Sequence, residues 1–367
     1  MTARASRATR APDALMRPEV LAQPAYQVAD ATGLIKLDAM ENPHPWPGEL
    51  EDAWLAALRD PQLNRYPDAQ ALGLAAQVRA AHGVPETAGL MFGNGSDELI
   101  QILITAVAGS GRPVLAPEPT FVMYGVLARA LGVPFVGVPL NADFTLDLEA
   151  MRAAMAEHNP ALVFLAYPNN PTGTLDDAAT VQAIVDENPG VTVVDEAYAP
   201  FAAHSFLSSV GDDDGLMVMR TVSKLGLAGA RLGYLAGTPA WIDALDRLRL
   251  PYNINTLTQR SVAFALEHRD ALDVQARGIV EERGRLAERL EATAGVEQVF
   301  PSQANFILFR VRAGQGHATF AALRDAGILV KDVGRAHPLL VDCLRVTVGR
   351  PDENDAFLAA LGQALSA

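Results

Sequence analysis

Three scarcities limit what this chain of 367 residues can do. Cys343 is the one cysteine, which excludes an intramolecular disulfide and a thiolate metal cluster and agrees with a reducing cytoplasm. Lys36, Lys224 and Lys331 are the three lysines, so any lysine chemistry must come from one of them. Long apolar runs are missing too. The stretch from Ala161 to Tyr167 is far short of the ~20 residues needed to cross a bilayer. Arg4, Arg7, Arg10 and Arg17 have no apolar segment beside them, so no secretory signal is expected and the first residues read as a frayed tail. Basic charge is outnumbered, 29 against 43, for a net charge of −14. Such a chain does not hold nucleic acid or an anionic membrane by a broad electrostatic face. An anionic ligand would need a few local Arg or Lys residues. The seven histidines are scattered without paired ligand spacing, which leaves a zinc site unsupported. No Gly-x-Gly-x-x-Gly opens a helix after an early strand, because Glu98 stands where the last glycine would be.

What is present is ample core material. Half the residues are hydrophobic and one fifth are charged, and the length suggests two domains. From about Asp68 to Gly237 helical and strand-like runs alternate. Leu72 to His82 and Glu98 to Val107 read as helices, as does Thr180 to Glu187. Pro113 to Ala116, Ala161 to Ala166, Val191 to Val194 and Leu216 to Arg220 read as strands. These strands lack polar alternation, which argues for a mostly parallel sheet covered on both faces. Beyond about residue 265 the pattern changes to a long charged helix at Asp270 to Ala292. Short strands at Asn305 to Val311 and Cys343 to Val348 follow, then a helix near Glu353 to Leu365. This reads as a smaller α+β unit.

Polar residues gather just past the strand ends: Asn170, then Asp195, then Thr221, Ser223 and Lys224. In open α/β sheets the ligand crevice lies at the carboxyl ends of the strands. Taken alone, Lys224 is a strand-end lysine reaching water. Asp195 could cap a helix, Asn170 could be a turn residue, and Arg231 could be a surface arginine. Taken together they form a parts list. A lysine can bind an aldehyde, and a buried carboxylate can pair with a protonated ring nitrogen. Tyr198 lies one helical turn beyond that carboxylate. Arg231 suits a phosphate bidentately. Gly95-Ser96-Asp97 opens a helix whose free N–H groups suit an anion. Pyridoxal phosphate needs all of these.

The segments that carry these residues resemble fold-type I aminotransferases of the aspartate aminotransferase superfamily, and more closely the histidinol-phosphate aminotransferases. The specific segments are Asn169-Asn170-Pro171-Thr172-Gly173, Asp195-Glu196-Ala197-Tyr198 and Ser223-Lys224 with the later Arg231. Asn64-Arg65-Tyr66-Pro67, Gly93-Asn94-Gly95-Ser96-Asp97-Glu98 and Leu344-Arg345-Val346-Thr347-Val348-Gly349 point to the histidinol-phosphate branch. The resemblance implies an α/β fold with a mostly parallel seven-stranded sheet in residues 61–265. It further implies a smaller α+β domain at 266–367, completed by residues 1–60. It implies pyridoxal 5′-phosphate as cofactor and transamination of L-histidinol phosphate with 2-oxoglutarate in the cytoplasm.

By the same resemblance Lys224 binds the cofactor covalently and later moves a proton, and Asp195 pairs with the pyridinium nitrogen. Asn170 and Tyr198 meet the 3-hydroxyl oxygen, and Phe121 stacks on the ring. Gly95, Ser96, Asp97, Thr221, Ser223 and Arg231 hold the phosphate. Tyr66 reaches the site of a neighbouring subunit in a homodimer. Arg345 and Lys331 bind the distal anion of the substrate, with help from Tyr26, Asn42 and Asn305. Three positions depart from the family pattern: Phe121 stands for a frequent Tyr, Met40 for a frequent Asn, and Lys331 for a frequent Arg. These departures keep an aromatic amino-acid aminotransferase open as an alternative, and the shared fold keeps a phosphothreonine decarboxylase open. Retention of Lys224, Asp195, Asn170 and Tyr198 together weighs against a non-catalytic sensor module.

Overall fold

The computed structural model describes residues 11–25 and 27–366; the expected tail over residues 1–10 and the candidate Tyr26 lie outside the described residues. Pro12–Leu15 and Pro18–Leu21 are single helical turns, each opened by its proline. The strand β1 (Ile35–Lys36) follows, and then the helix Gly48–Ala57.

The large sheet contains β2 (Gly89–Gly93), β3 (Val114–Glu118), β4 (Phe135–Pro139), β5 (Leu162–Ala166), β6 (Val191–Asp195), β7 (Leu216–Thr221) and β8 (Gly233–Gly237). Its order is β2-β8-β7-β6-β5-β3-β4. β8 pairs antiparallel with both neighbours, and the other pairs are parallel. Both faces are apolar. Leu115, Val163, Leu165, Val194 and Val218 face one core, and the alternate residues Val114, Ala116, Leu162, Phe164, Val193 and Met217 face the other. Successive side chains on a strand point to opposite faces, so a strand covered on both sides loses its polar alternation. Sequence pattern had marked β3, β5, β6 and β7 but not β2, β4 or β8. Those three carry Gly or Pro at their ends, so they read as loops.

The chain order reverses between β5 and β3. Their pairing covers only Val114↔Leu162 and Leu115↔Val163. Pro117, two residues on, has no N–H to continue a ladder on that side. The sheet therefore parts at its carboxyl edge, at the switch point where open α/β sheets bind ligands.

The remaining strands are β9 (Val296–Val299), β10 (Phe306–Val311), β11 (Ile328–Leu329), β12 (Lys331–Asp332) and β13 (Cys343–Thr347). They form an antiparallel sheet of order β12-β13-β10-β9, while β11 pairs in parallel with β1. Helices Arg269–Glu291, Gly316–Asp325 and Pro351–Ser366 supply Leu286, Leu290, Leu323, Phe357 and Leu361 to a core with Phe306 and Phe309. The helix Gly48–Ala57 instead lies by Thr256–Glu267, where Trp54 Nε1 donates to Ser261 Oγ at 2.9 Å. Among the described residues no helix is long and apolar enough to cross a membrane.

β8 touches the start of the helix Ser96–Val107. A Cβ on Gly233 would sit 2.8 Å from the Gly95 carbonyl carbon and 2.9 Å from Ser96 N. Backbone on both sides cannot yield, so Gly233→Ala is expected to cost about 2 kcal/mol. Thermal unfolding of the variant should show a midpoint several degrees below wild type. An unchanged midpoint would mean that this contact does not constrain the fold.

Candidate active site

Five strands of the large sheet deliver side chains to one cavity. Ser96 and Asp97 begin the helix after β2, Phe121 follows β3, and Asn170 follows β5. Asp195 ends β6, and Lys224 lies in the turn after β7. These six line a cavity of about 430 Å³ together with Tyr198, Thr221, Ser223 and Arg231. Gly95 stands directly behind it. Its φ is +78°, and a Cβ there would lie 2.7 Å from Arg231 Nη2. Gly95 provides no side-chain cap, so the first N–H groups of the helix are left for a ligand. Arg231 itself is held in the left-handed region at φ 52°, a conformation that costs a non-glycine residue roughly 1 kcal/mol or more. Its guanidinium lies 3.8 Å from Asp97. Thr221 Oγ1 is 2.8 Å from Ser223 Oγ and 2.9 Å from the Leu232 carbonyl oxygen.

Asp195 is buried, 4% exposed. Tyr124 donates its hydroxyl to Oδ2 at 2.7 Å, and the Ala197 N–H donates to Oδ1 at 3.1 Å. No ion pair reaches it among the described residues. Burial, helped by the charges of Asp97 and Glu196, pushes its carboxyl up to about 6. Lys224 Nζ lies 5.9 Å from the Tyr198 ring centroid and donates to the Ala39 carbonyl at 3.2 Å. Burial, then the charge of Arg345, lowers its ammonium to about 8. Burial also raises the Tyr198 phenol above its ordinary range. Arg345 Nη1 donates to Asn170 Oδ1, which leaves the Asn170 amide nitrogen as the end available to a ligand. A carboxylate without a cation, an amine poised to be neutral and a glycine-floored anion cradle fit a phosphorylated pyridine aldehyde.

A second cavity of about 290 Å³ adjoins the first and shares Met40, Phe121 and Asn170 with it. Arg345 and Lys331 both line it. They are direct cross-strand partners on β13 and β12, so their side chains leave the sheet on one face. Two like charges side by side are unfavourable unless an anion joins them.

Other candidates have different settings. Asn42 lines neither cavity. Its Nδ2 donates to Gln275 at 3.0 Å and its Oδ1 accepts from the His44 N–H at 2.9 Å. Asn305 is fully buried and donates to the Met40 carbonyl at 3.0 Å. Both amides are thus tied to the segment at 38–44 and do not project into either cavity. Tyr66 is 80% exposed and stacks on Tyr252 with ring centroids 4.5 Å apart.

One feature escaped the sequence reading: Tyr124, in the unmarked helix Met123–Leu131, for which the spacing of three from Phe121 was the available signal. The segment from Asp38 to Glu41, flagged in the sequence through Met40, lines the cavity with Ala39, Met40 and Glu41. Arg345 donates to the Asp38 carbonyl at 2.8 Å, and Met40 N–H donates to Thr347 Oγ1 at 3.0 Å.

A family model, aminotransferase class I and II, matches residues 32–361. The chain is 54% identical over 346 residues to histidinol-phosphate aminotransferase 2 of Nitrosococcus oceani, covering 94% of this chain and 96% of that protein. It is 52% identical over 356 residues to histidinol-phosphate aminotransferase 1 of Ralstonia nicotianae, covering 96% and 94%. The solved histidinol-phosphate aminotransferase of Sinorhizobium meliloti in complex with pyridoxal-5′-phosphate superposes with a TM-score of 0.85 at 26% identity, over 96% of this chain and 98% of that one. The L-threonine-O-3-phosphate decarboxylase of Porphyromonas gingivalis shares the fold, with a TM-score of 0.78 at 21% identity.

The lowered Lys224 ammonium is directly measurable. In cofactor-free protein, trace acylation of Lys224 followed by mass spectrometry should rise with pH through a midpoint near 8, because the neutral amine is the nucleophile. A midpoint near the ordinary lysine value of about 10.4 would contradict the buried setting.

Proposed function

The chain belongs to the class I and II aminotransferase family, the fold-type I enzymes that use pyridoxal 5′-phosphate, and from that premise we propose that it transfers the amino group of L-histidinol phosphate to 2-oxoglutarate, a step of histidine biosynthesis. One observation carries the choice of donor. The paired cations Lys331 and Arg345 share a cavity next to the one that contains Lys224. A donor with a terminal phosphate would place its anion between them and its amine near Lys224. The relatives at 54% and 52% identity carry that donor in their names.

When bound, pyridoxal phosphate supplies an aldehyde for the amine and a protonated ring that takes up the electron pair left on the substrate carbon. The chain supplies everything else. Ser96, Asp97, Thr221, Ser223 and Arg231 grip the phosphate, and Phe121 covers the ring. Asn170 and Tyr198 hydrogen-bond the ring oxygen, and Asp195 holds the proton on the ring nitrogen. Lys224 would tether the cofactor and, once released, would take the substrate's Cα proton at Nζ and pass it to a different carbon, the one that carried the aldehyde, so that the amino group stays behind. Its lowered ammonium gives a useful neutral fraction near neutral pH. Arg345 and Lys331 read the distal anion, a phosphate in one half-reaction and a carboxylate of 2-oxoglutarate in the other. Asn42 and Asn305 act one step back, fixing the segment at 38–44 that roofs the cavity.

The same reading divides the chain into a cofactor-binding unit at 61–265 and a smaller unit at 266–367, to which the first 60 residues add β1 through its pairing with β11 while the helix Gly48–Ala57 lies on the larger unit. It makes the protein a cytoplasmic homodimer. The exposed Tyr66, which does not line its own cavity, supports a role at the phosphate of a neighbouring subunit.

Spectra of the half-reaction test the donor. With no 2-oxo acid present, L-histidinol phosphate should convert the lysine-bound form at far lower concentration than phenylalanine or O-phosphothreonine. A preference for phenylalanine would make the protein an aromatic aminotransferase, and release of carbon dioxide from O-phosphothreonine would make it a lyase. Lys224→Ala should abolish turnover, and steady-state turnover by that variant at the wild-type rate would refute the assignment. Arg345→Gln should raise the half-saturating concentration of histidinol phosphate at least about tenfold, the worth of a charge-assisted bidentate contact.

A further inference from the structure

We propose that Tyr124 is a positioning residue for Asp195, keeping that carboxylate ionised and aimed at the cofactor's ring nitrogen. The inference rests on the pyridoxal phosphate reading of the cavity and goes beyond it, because Tyr124 lies outside the cavity lining.

The geometry is specific. Tyr124 is fully buried, and its hydroxyl donates to Asp195 Oδ2 at 2.7 Å. The ring is clamped on two sides: it stacks on Phe164 of β5, centroids 4.6 Å apart and planes 9° apart, and meets the edge of Phe121 at 5.6 Å. Tyr124 sits in the first turn of the helix Met123–Leu131, and Phe121 lies two residues before that helix. The residue that would cover the cofactor's face and the residue that anchors its nitrogen's partner are therefore in direct ring contact.

The electrostatics give the contact its purpose. The charged groups that act most strongly on Asp195 are Asp97 and Glu196, both acidic, and both oppose its ionisation; Lys224 and Arg231 line the same cavity. Glu196 is itself engaged by Arg220 at 2.7 Å. The phenols near it are Tyr124 and Tyr198. Two donors support the charged form, the Ala197 N–H and the Tyr124 hydroxyl. Hydrogen bonds to an ionised acid favour that form. Tyr124 cannot give up its proton instead, since burial and the Asp195 charge raise its own ionisation well above the ordinary range. It acts as a donor throughout the working pH range. The neutral side chain thus does for Asp195 what a cation would do, while leaving the cation position to the ring nitrogen.

Tyr124→Phe isolates the hydroxyl, because the ring, its stack on Phe164 and nearly all its volume remain. The test is the dissociation constant of pyridoxal 5′-phosphate from the full-length protein, measured by equilibrium dialysis between pH 5.5 and 9. Near pH 5.5 the variant should bind roughly eightfold more weakly, and near pH 7 about twofold. Without the donor Asp195 takes up a proton more readily, so the affinity profile should move up by about one pH unit and approach wild type toward pH 9. The cofactor's own titration is common to both proteins and cancels in their ratio. An equal loss at every pH would mean a packing role and would overturn the proposal, as would no loss at all. In an Asp195→Asn background the same change should cost less and show no dependence on pH; a full, additive loss there would also overturn it. Failure of the wild-type protein to bind the cofactor would instead remove the reading on which the proposal rests.

Discussion

Asp195 is a carboxylate buried at the end of β6 without a cation, and the rest of the site is arranged around that imbalance. A raised acid constant works against the empty fold. The ordinary value is 3.8 and the buried one about 6, a shift on the order of 3 kcal/mol. Its sign follows from proton counting: between those values the folded chain binds more protons than the unfolded one. Stability from this group is therefore greatest below about pH 4 and is lost as pH rises toward 6, and above that the folded chain carries the full cost. On the role proposed for Asp195, a protonated ring nitrogen beside it would offset this cost, and cofactor binding and fold stability would be coupled through one carboxylate. Apolar strands on both faces of the sheet make the cost large; Tyr124 and the Ala197 N–H keep it bearable.

The second constraint joins the two sheets. Arg345 lies on β13 of the small sheet, yet it touches Asn170 beyond β5 and the carbonyl of Asp38. Asn305 and Thr347, also carried by small-sheet segments, hold Met40 by its carbonyl and its N–H. Lys224, at the end of β7, donates to the carbonyl between them, that of Ala39. The backbone from 38 to 40 is thus strung between Lys224 and the small sheet. On the proposed reading, an anionic substrate group that draws Arg345 would compete with Asn170 and Asp38 for the same guanidinium. Its binding would in this way be felt at Asn170 and at the roof above Lys224.

Much of this was legible because the chemistry repeats one local pattern. Apolar strands that end in Asp195, Thr221 and, four residues on, Asn170 mark one edge of a parallel sheet, and three lysines leave little choice of tether. The limits are equally physical. β2 and β8 are bounded by glycines, of which Gly233 is required by close backbone approach to Gly95 while Gly89, Gly93 and Gly237 face the side chains of Ile242, Leu99 and Met217, and glycine is what a sequence reading takes for a loop. The role of Tyr124 depends on a contact across 71 residues, invisible to local periodicity. Asn42 and Asn305 were legible as polar residues near the site but not as supports, since the direction of an amide is decided by tertiary packing.

The departures at Met40 and Lys331 can be weighed by the same reasoning. Met40 sits at φ 53°, a region that suits Asn or Gly better than an unbranched apolar side chain. The four contacts that pin residues 38–40 impose that backbone, and in return a thioether lines both cavities at their junction. Met adapts its shape to irregular neighbours, so the junction is apolar and yielding, suited to a flat ring passing between the two anion sites. Lys331 lacks the planar fork of arginine, but it is in register with Arg345, which has one. One fork and one point charge still match a phosphate, which carries up to two negative charges, better than a carboxylate, which carries one. On the proposed reading, the register on β12 and β13, more than the identity of either cation, would select the distal group.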